Sequence, residues 1–266
     1  MPLPSTLMKL SAPARLCLLA LAAWSMAVPI PAADGGGAPE VILPKCLFIG
    51  DSFSVGRFGR ALENSLVRGL GRSRVWLYAS CGSDVEDWLP TEPVFETPCG
   101  YRESTPKTSV HEDYHDGKRP RRVPTPKIDA LVRKCQPDLL IVQLGTNNFD
   151  KLEQGGEAAI PEQQAYFDQF ATTVLKNAPP HCQVIWITPP DSLHFPDWIE
   201  TAIAKIINTT ADRHHFDIVD SRRYTHYEKG KSGDDGIHYS KEQAFAWAGR
   251  VVDQLNRQIR VRPATR

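Results

Sequence analysis

The chain has 266 residues, with 31 basic against 31 acidic side chains, 41% hydrophobic and 23% charged residues. That length and composition suit one α/β domain of fair size, and the even charge balance argues against a nucleic-acid-binding domain, which would be strongly basic. The one apolar run near the start is too short to span a bilayer, and no other stretch is apolar enough.

The chain opens on a targeting pattern. Lys9 and Arg15 precede the apolar run from Leu16 to Trp24, and the small residues Pro31-Ala32-Ala33 are followed by Gly35-Gly36-Gly37. This layout predicts a secretory signal peptide over residues 1–32, a flexible spacer over 33–40 and a single mature domain over 41–266, secreted or periplasmic. An uncleaved anchor is the alternative. Cleavage would remove two basic residues and no acidic ones, leaving a formal charge of −2 and five cysteines: Cys46, Cys81, Cys99, Cys135 and Cys182. An odd count leaves at least one thiol unpaired. Cys46 reads as a small buried residue. Cys81 and Cys99 bracket a loop-rich stretch and are expected to pair, with Cys135–Cys182 as a second bridge.

Strand-like runs follow at Cys46–Ile49, Val75–Ala79, Leu139–Leu144, Val184–Ile187 and Phe216–Val219. Between them lie helical periodicities from Val55 to Leu70, from Ile128 to Val132, through Phe167, Phe170 and Val174, and through Ile199, Ile203 and Ile206. A final helix carries Ala244, Trp247, Val251 and Leu255, and opens on Ser240 with Gln243 three residues later, a capping box. Near-continuous apolar strands alternating with helices predict a three-layer α/β/α sandwich around a five-stranded parallel sheet.

Residues 89–126 break the alternation. The segment is polar and holds seven prolines, which forbids long regular elements. It leaves the carboxyl end of the second strand and is read as a rim or lid over a site, or as a solvated insertion. Inside it, His111-Glu112-Asp113-Tyr114-His115 matches the H-E-x-x-H zinc pattern but lacks the apolar periodicity of the helix that pattern needs, so no metal site is assigned. The run Lys118-Arg119-Pro120-Arg121-Arg122 is either a solvated loop or a grip for an anionic polymer. Trp88, Tyr101 and Tyr114 are candidates to stack on sugar rings, or to pack locally.

In an open α/β sheet chemistry collects at the carboxyl ends of the strands. The first strand ends at Gly50-Asp51-Ser52, where the serine either caps the following helix or attacks a carbonyl. The second ends at Ser80-Cys81-Gly82-Ser83, with a glycine able to turn an N–H toward a ligand. The third ends at Gly145-Thr146-Asn147-Asn148, with the amide donor Asn147 at its exit. Past the fifth comes Asp235-Gly236-Ile237-His238, a carboxylate and an imidazole three residues apart on a tight turn.

Taken in order, these pieces resemble the SGNH, or GDSL-type, hydrolase superfamily. The resemblance runs through the whole mature chain. It implies a flavodoxin-like three-layer fold and ester hydrolysis through an acyl-serine, with Ser52 as nucleophile, His238 as base and Asp235 as its orienting partner. It also implies an oxyanion hole formed by the backbone N–H of Ser52, that of Gly82 and the side chain of Asn147. Two residues depart from the pattern: Asn148 where the family often has Asp, and Phe53 where Leu is usual; both are expected to affect packing or substrate fit. No cofactor, metal or nucleic acid is expected. Export, a polar rim and the lack of a long apolar insertion favour a carbohydrate O-acetyl esterase. A lipolytic esterase or thioesterase, an O-acetyltransferase with the same triad, and a non-catalytic carbohydrate-binding module are the alternatives.

Overall fold

Each central strand is apolar on both sides, and each side has its own helices to meet. Along the first, Leu47 and Ile49 point into one hydrophobic cluster while Cys46 and Phe48 point into another, the two-residue period of a strand covered on both faces. The computed structural model describes residues 41–114 and 118–263. The expected signal peptide, the spacer and His115 lie outside the described residues.

The chain runs β1 (Val41–Ile42), β2 (Cys46–Gly50), α1 (Ser52–Val55), α2 (Arg57–Leu70), β3 (Val75–Ser80), β4 (Tyr101–Ser104) and β5 (Ser109–Glu112). It continues through α3 (Ile128–Cys135), β6 (Leu139–Gln143), α4 (Asn148–Gly155), α5 (Ile160–Asn177), β7 (Gln183–Ile187), α6 (Asp197–His214), β8 (Asp217–Val219), α7 (Lys241–Gln258) and β9 (Arg262–Pro263). β1 and β9 form a separate antiparallel pair. The main sheet has the order β5-β4-β3-β2-β6-β7-β8, with β3, β2, β6, β7 and β8 parallel. Helices α2 and α7 cover one face, α3, α5 and α6 the other. Phe58 of α2 stacks on Trp247 of α7 at 3.6 Å between ring centroids. Ser240 accepts from the Gln243 backbone N–H at 3.4 Å, so the capping box opens α7 as its spacing predicts. No helix among the described residues is long and apolar enough to cross a membrane.

The sheet has seven strands, not the expected five. The two extra strands, β4 and β5, come from the proline-rich insertion and pair antiparallel on the β3 edge. They occupy its proline-free windows, on either side of a turn in which Thr108 N–H donates to Thr105 Oγ1 at 2.9 Å. The density of prolines limits them to four residues each. His111 and Glu112 therefore stand on a strand, not on the helix an H-E-x-x-H zinc site requires. Trp88 is fully buried and donates from Nε1 to Ser83 Oγ at 3.0 Å, and Tyr101 is also buried, so neither offers a ring to a sugar. The expected second disulfide is absent: Cys135 and Cys182 are free. Cys135 is the buried last residue of α3, whereas Cys182 precedes β7, is part-buried and donates to the Gln183 carbonyl at 3.7 Å.

The predicted bridge between Cys81 and Cys99 is present and ties the turn that leaves β3 to the part of the insertion that leads into β4, closing a sequence separation of 18. A loop of that size should contribute about 3 kcal/mol through restriction of the unfolded chain. Replacing both cysteines by serine should lower the urea-derived unfolding free energy by that amount. Reductant should have the same effect on the native chain and none on the variant.

The periodic stretch read as one helix from Val55 to Leu70 is two, broken at Gly56. The first starts at Ser52 because Asp51 caps it, accepting the Phe53 N–H on Oδ1 at 3.0 Å. Asp51 is wholly buried, and that burial pushes its carboxyl from the ordinary 3.8 up to about 6, against the pull of the Phe53 N–H, Gln143, Thr146 and His238. With the folded value raised, the protonated form favours folding, and that contribution is lost as the pH climbs from about 4 through about 6. Asp51→Asn keeps an acceptor for the cap and never ionises. Its Tm should exceed that of the native chain at pH 8, with the gap closing toward pH 4; a gap that ignores pH would refute a buried carboxylate charge.

Candidate active site

Gly50, the last residue of β2, sits in register between Ala79 of β3 and Gln143 of β6. The turns that leave these three strands are therefore neighbours along one edge of the sheet. The first turn is unusually tight: a Cβ on Gly50 would lie 2.0 Å from Ser54 Oγ and 3.0 Å from the Gln143 carbonyl. Ser54 Oγ donates to Gln143 Oε1 at 2.7 Å, and the Asp51 N–H donates to the Gln143 carbonyl at 3.2 Å, which holds the turn against β6.

Because Asp51 caps α1, the Ser52 hydroxyl is left for another partner, and it has one. Ser52 Oγ lies 2.9 Å from His238 Nε2, across 186 residues of sequence. On the far side of the ring, His238 Nδ1 lies 2.7 Å from Asp235 Oδ2. Asp235 Oδ1 accepts the backbone N–H groups of Ile237 at 2.9 Å and His238 at 2.7 Å. Burial raises the Asp235 carboxyl, but the His238 side chain and those two N–H groups outweigh it and hold it below the ordinary value. An ionised Asp235 places the imidazole proton on Nδ1, which leaves the Nε2 lone pair as acceptor of the serine O–H.

The loop bearing Asp235 and His238 is pinned from beneath. Tyr227 Oη accepts the Gly236 N–H at 3.0 Å and donates to the His238 carbonyl at 3.4 Å. Gly236 also accepts on its carbonyl from the Leu193 N–H at 2.8 Å. Phe53 supports the ring itself, with its centroid 5.3 Å from that of His238 and 5.3 Å from that of Trp247. The departure at this position thus fills the space between the imidazole and α7.

On the second turn Gly82 has φ +81°, a left-handed conformation that a side chain would strain. Its N–H has no acceptor among the described residues, and the Ser52 N–H, at the first position of α1, has no intrahelical one. Asn147 stands on the third turn and donates from Nδ2 to the Ser83 carbonyl at 2.9 Å. One amide hydrogen fixes the orientation and the second is left over. The departure at Asn148 also has a physical reason. Its buried Nδ2 donates to Glu86 Oε2 at 3.0 Å and to Gln163 Oε1 at 2.8 Å, while Oδ1 accepts the Val85 N–H at 3.3 Å. An aspartate there would set a second carboxylate against Glu86.

Sequence reasoning passed over the groups that flank this constellation. A cavity of about 330 Å³ adjoins the imidazole and is lined by Arg57, Lys231, Asp234, Asp235, His238 and Tyr239, together with glycines. The one signal for it was Arg57, a cation in the first turn of a helix, where the macrodipole favours an anion. No group of three or more His, Cys, Asp or Glu placed to hold a metal ion occurs among the described residues.

Comparison with known structures places this architecture among esterases of similar shape. A carbohydrate acetylesterase from Sinorhizobium meliloti aligns at 14% identity and a TM-score of 0.52, covering 80% of this chain and 99% of its own. The protein TesA aligns at 15% identity and a TM-score of 0.55, over 80% and 99% of the two chains. An acetyl esterase crystallised with an acetate ion aligns at 14% identity and a TM-score of 0.52, over 80% and 96%. At these identities the likeness is one of fold. No curated protein matches the chain. The family model described as GDSL-like Lipase/Acylhydrolase matches residues 46–251, and the chain belongs to that family of ester-bond hydrolases.

Proposed function

We propose that the protein is an exported serine esterase that removes O-acetyl groups from a carbohydrate, with Ser52, His238 and Asp235 as its catalytic triad. The observation that carries the reading is the hydrogen-bonded chain from Ser52 Oγ to His238 Nε2 at 2.9 Å and from His238 Nδ1 to Asp235 Oδ2 at 2.7 Å. Ser52 attacks the ester carbonyl as its proton passes to His238. The carbonyl oxygen gathers negative charge and is met by the N–H groups of Ser52 and Gly82 and the spare amide hydrogen of Asn147. As the tetrahedral adduct collapses, His238 returns the proton to the departing sugar oxygen and the acyl group stays on Ser52. His238 then takes a proton from water, whose oxygen attacks the acyl-serine, and the acid and the free serine are released.

The carbohydrate half of the reading rests on the cavity beside His238. We place the leaving alcohol in this cavity because it borders the imidazole that returns the proton; Ser52, Gly82 and Asn147 are not among its lining residues. Its lining of charged side chains, a tyrosine and glycines suits hydroxyl groups better than an alkyl chain. The similar fold of an acetylesterase that acts on carbohydrate supports the same choice. Export rests on the targeting pattern of residues 1–32 and on the Cys81–Cys99 bridge, a linkage that persists in oxidising compartments.

A fluorophosphonate should label Ser52 in the folded protein, and Ser52→Ala should abolish both labelling and acetate release from acetylated polysaccharide. Absence of labelling would favour a binding module. Asn147→Ala should reduce kcat by about 10²–10³ while KM changes little, the signature of a donor used in the transition state. Across p-nitrophenyl esters, kcat/KM should peak at acetyl; a rise toward octanoyl would instead indicate a lipolytic esterase or thioesterase.

A further inference from the structure

Two of the cations that the fold leaves without an acidic partner among the described residues border the active-site cavity and the helix that leads away from it. Arg57 and Arg60 stand three residues apart on α2 and share a face, both exposed, and neither guanidinium has an acidic partner among the described residues. Arg57 lines the cavity that adjoins His238, where Lys231 also stands, tied at 2.5 Å to Glu228. α2 meets the hairpin of the insertion where Glu63 pairs with Arg102, and Arg60 stands one helical turn before Glu63 on that helix; after burial, Arg60 is the main influence lowering the His111 imidazole.

Further basic groups stand on the later part of the insertion. Arg121 pairs with Glu112 of β5 at 3.3 Å, and exposed Arg122 follows it without an acidic partner among the described residues. The next residues are stitched to the first arm of the insertion: Thr97 N–H donates to the Val123 carbonyl at 3.0 Å, and Thr125 N–H to the Phe95 carbonyl at 2.7 Å. That arm leads into Cys99, whose Sγ would lie 3.6 Å from a Cβ on Gly82. The basic run thus leads into the segment bonded to the arm that reaches Gly82, while Arg57 lines the cavity that His238 also lines. Acidic groups on this path are Asp234 and Asp235 at the cavity, Glu228, which holds Lys231, Glu63, which holds Arg102, Glu112, which Arg121 already engages, and Asp113, 3.8 Å from His111.

We propose that this track, running from the His238 cavity over Arg57 and Arg60 to Arg121 and Arg122, binds an acidic polysaccharide, so that the ester removed sits on a uronate-containing or otherwise anionic glycan. The inference rests on the esterase reading above and adds the charge of its substrate. A neutral glycan would need none of these cations. Guanidinium groups suit carboxylate or sulfate, which they can grip with two parallel hydrogen bonds. The chain as a whole is formally neutral, so the track is a local arrangement and no reflection of bulk charge. That balance also argues for a glycan over nucleic acid.

Affinity electrophoresis tests this without turnover. Ser52→Ala protein should be retarded by polygalacturonate and not by neutral mannan, and the retardation should fade as salt is raised from about 50 to about 500 mM. Adding Arg57→Gln and Arg60→Gln should weaken retention about three- to tenfold, as expected for two exposed charge contacts. Adding Arg57→Lys and Arg60→Lys instead should recover part of it, with Tm checking that each variant is folded. Equal retardation by mannan, no loss in the folded glutamine variant, or stronger retardation by polyuridylate than by polygalacturonate would overturn the proposal. If the native chain released no acyl group from any ester while retention followed the expected pattern, the esterase reading would fall and the glycan track would stand. If it cleaved acetyl esters but showed no such retention, the track alone would fall.

Discussion

The close approach of α1 to the end of β2 governs everything above the sheet edge. With no Cβ at Gly50, Ser54 can sit against the strand and bond Gln143, and the chain can turn into a helix within one residue. That turn buries Asp51 as the helix cap and thereby leaves Ser52 at the first helical position with its hydroxyl uncommitted. A cap of ordinary design would have used the serine. Here the aspartate takes the capping role at the cost of a buried carboxyl, and the serine faces outward to an imidazole supplied from the other end of the chain. A second close approach serves the same end. A Cβ on Gly59 would lie 1.9 Å from the Ser54 carbonyl, so α2 packs directly on α1 and carries Phe58 to Trp247.

The imidazole is held by different means. Ser52 is placed by backbone geometry, but His238 stands on a loop and depends on side chains: Asp235 for its tautomer, Tyr227 for the loop, Phe53 for the ring. Exposed His238 borders the cavity and also meets the tilted ring of Phe53. This placement suits a base that must give its proton to an alcohol held in the cavity. Asn147 follows the same logic, since its bond to the Ser83 carbonyl and the neighbouring Asn148–Glu86–Gln163 network fix an amide before any charge develops.

Much of this was legible in the sequence because it is local. Each parallel strand is a short apolar run, and the residue types that end β2, β3 and β6 mark sharp turns without reference to any distant partner. Asp235 and His238 are three residues apart, so their contact needs no knowledge of the fold. The Ser52–His238 contact does need it, and rests on the family resemblance that the motifs carry together. The sequence was silent where a partner decides. β4 has one buried residue, Tyr101, and polar neighbours, and becomes a strand because β3 offers it an open edge. Helix α4 buries only Asn148, Phe149 and Leu152, too few apolar positions to set a period. Cysteine spacing could not say that Cys135 and Cys182 stay free thiols. Nor could loop composition say that Trp88 and Tyr101 turn inward while Tyr114 turns out.

The insertion shows how one edge of the sheet comes to serve both stability and the site. An open β3 edge would be a row of unpaired backbone groups, a template for association. The hairpin pairs with that row, and the Cys81–Cys99 bridge fixes its entry next to Gly82, so the strand that closes the edge also hardens the turn bearing a proposed oxyanion donor. Glu63 of α2, nearly buried, then receives Arg72 and Arg102 and locks the hairpin to the helix that carries Arg57 and Arg60. With Glu63 consumed inside by two arginines, it has no carboxylate to spare for Arg60 at the surface. Arg57, on the same helix, lines the cavity beside His238.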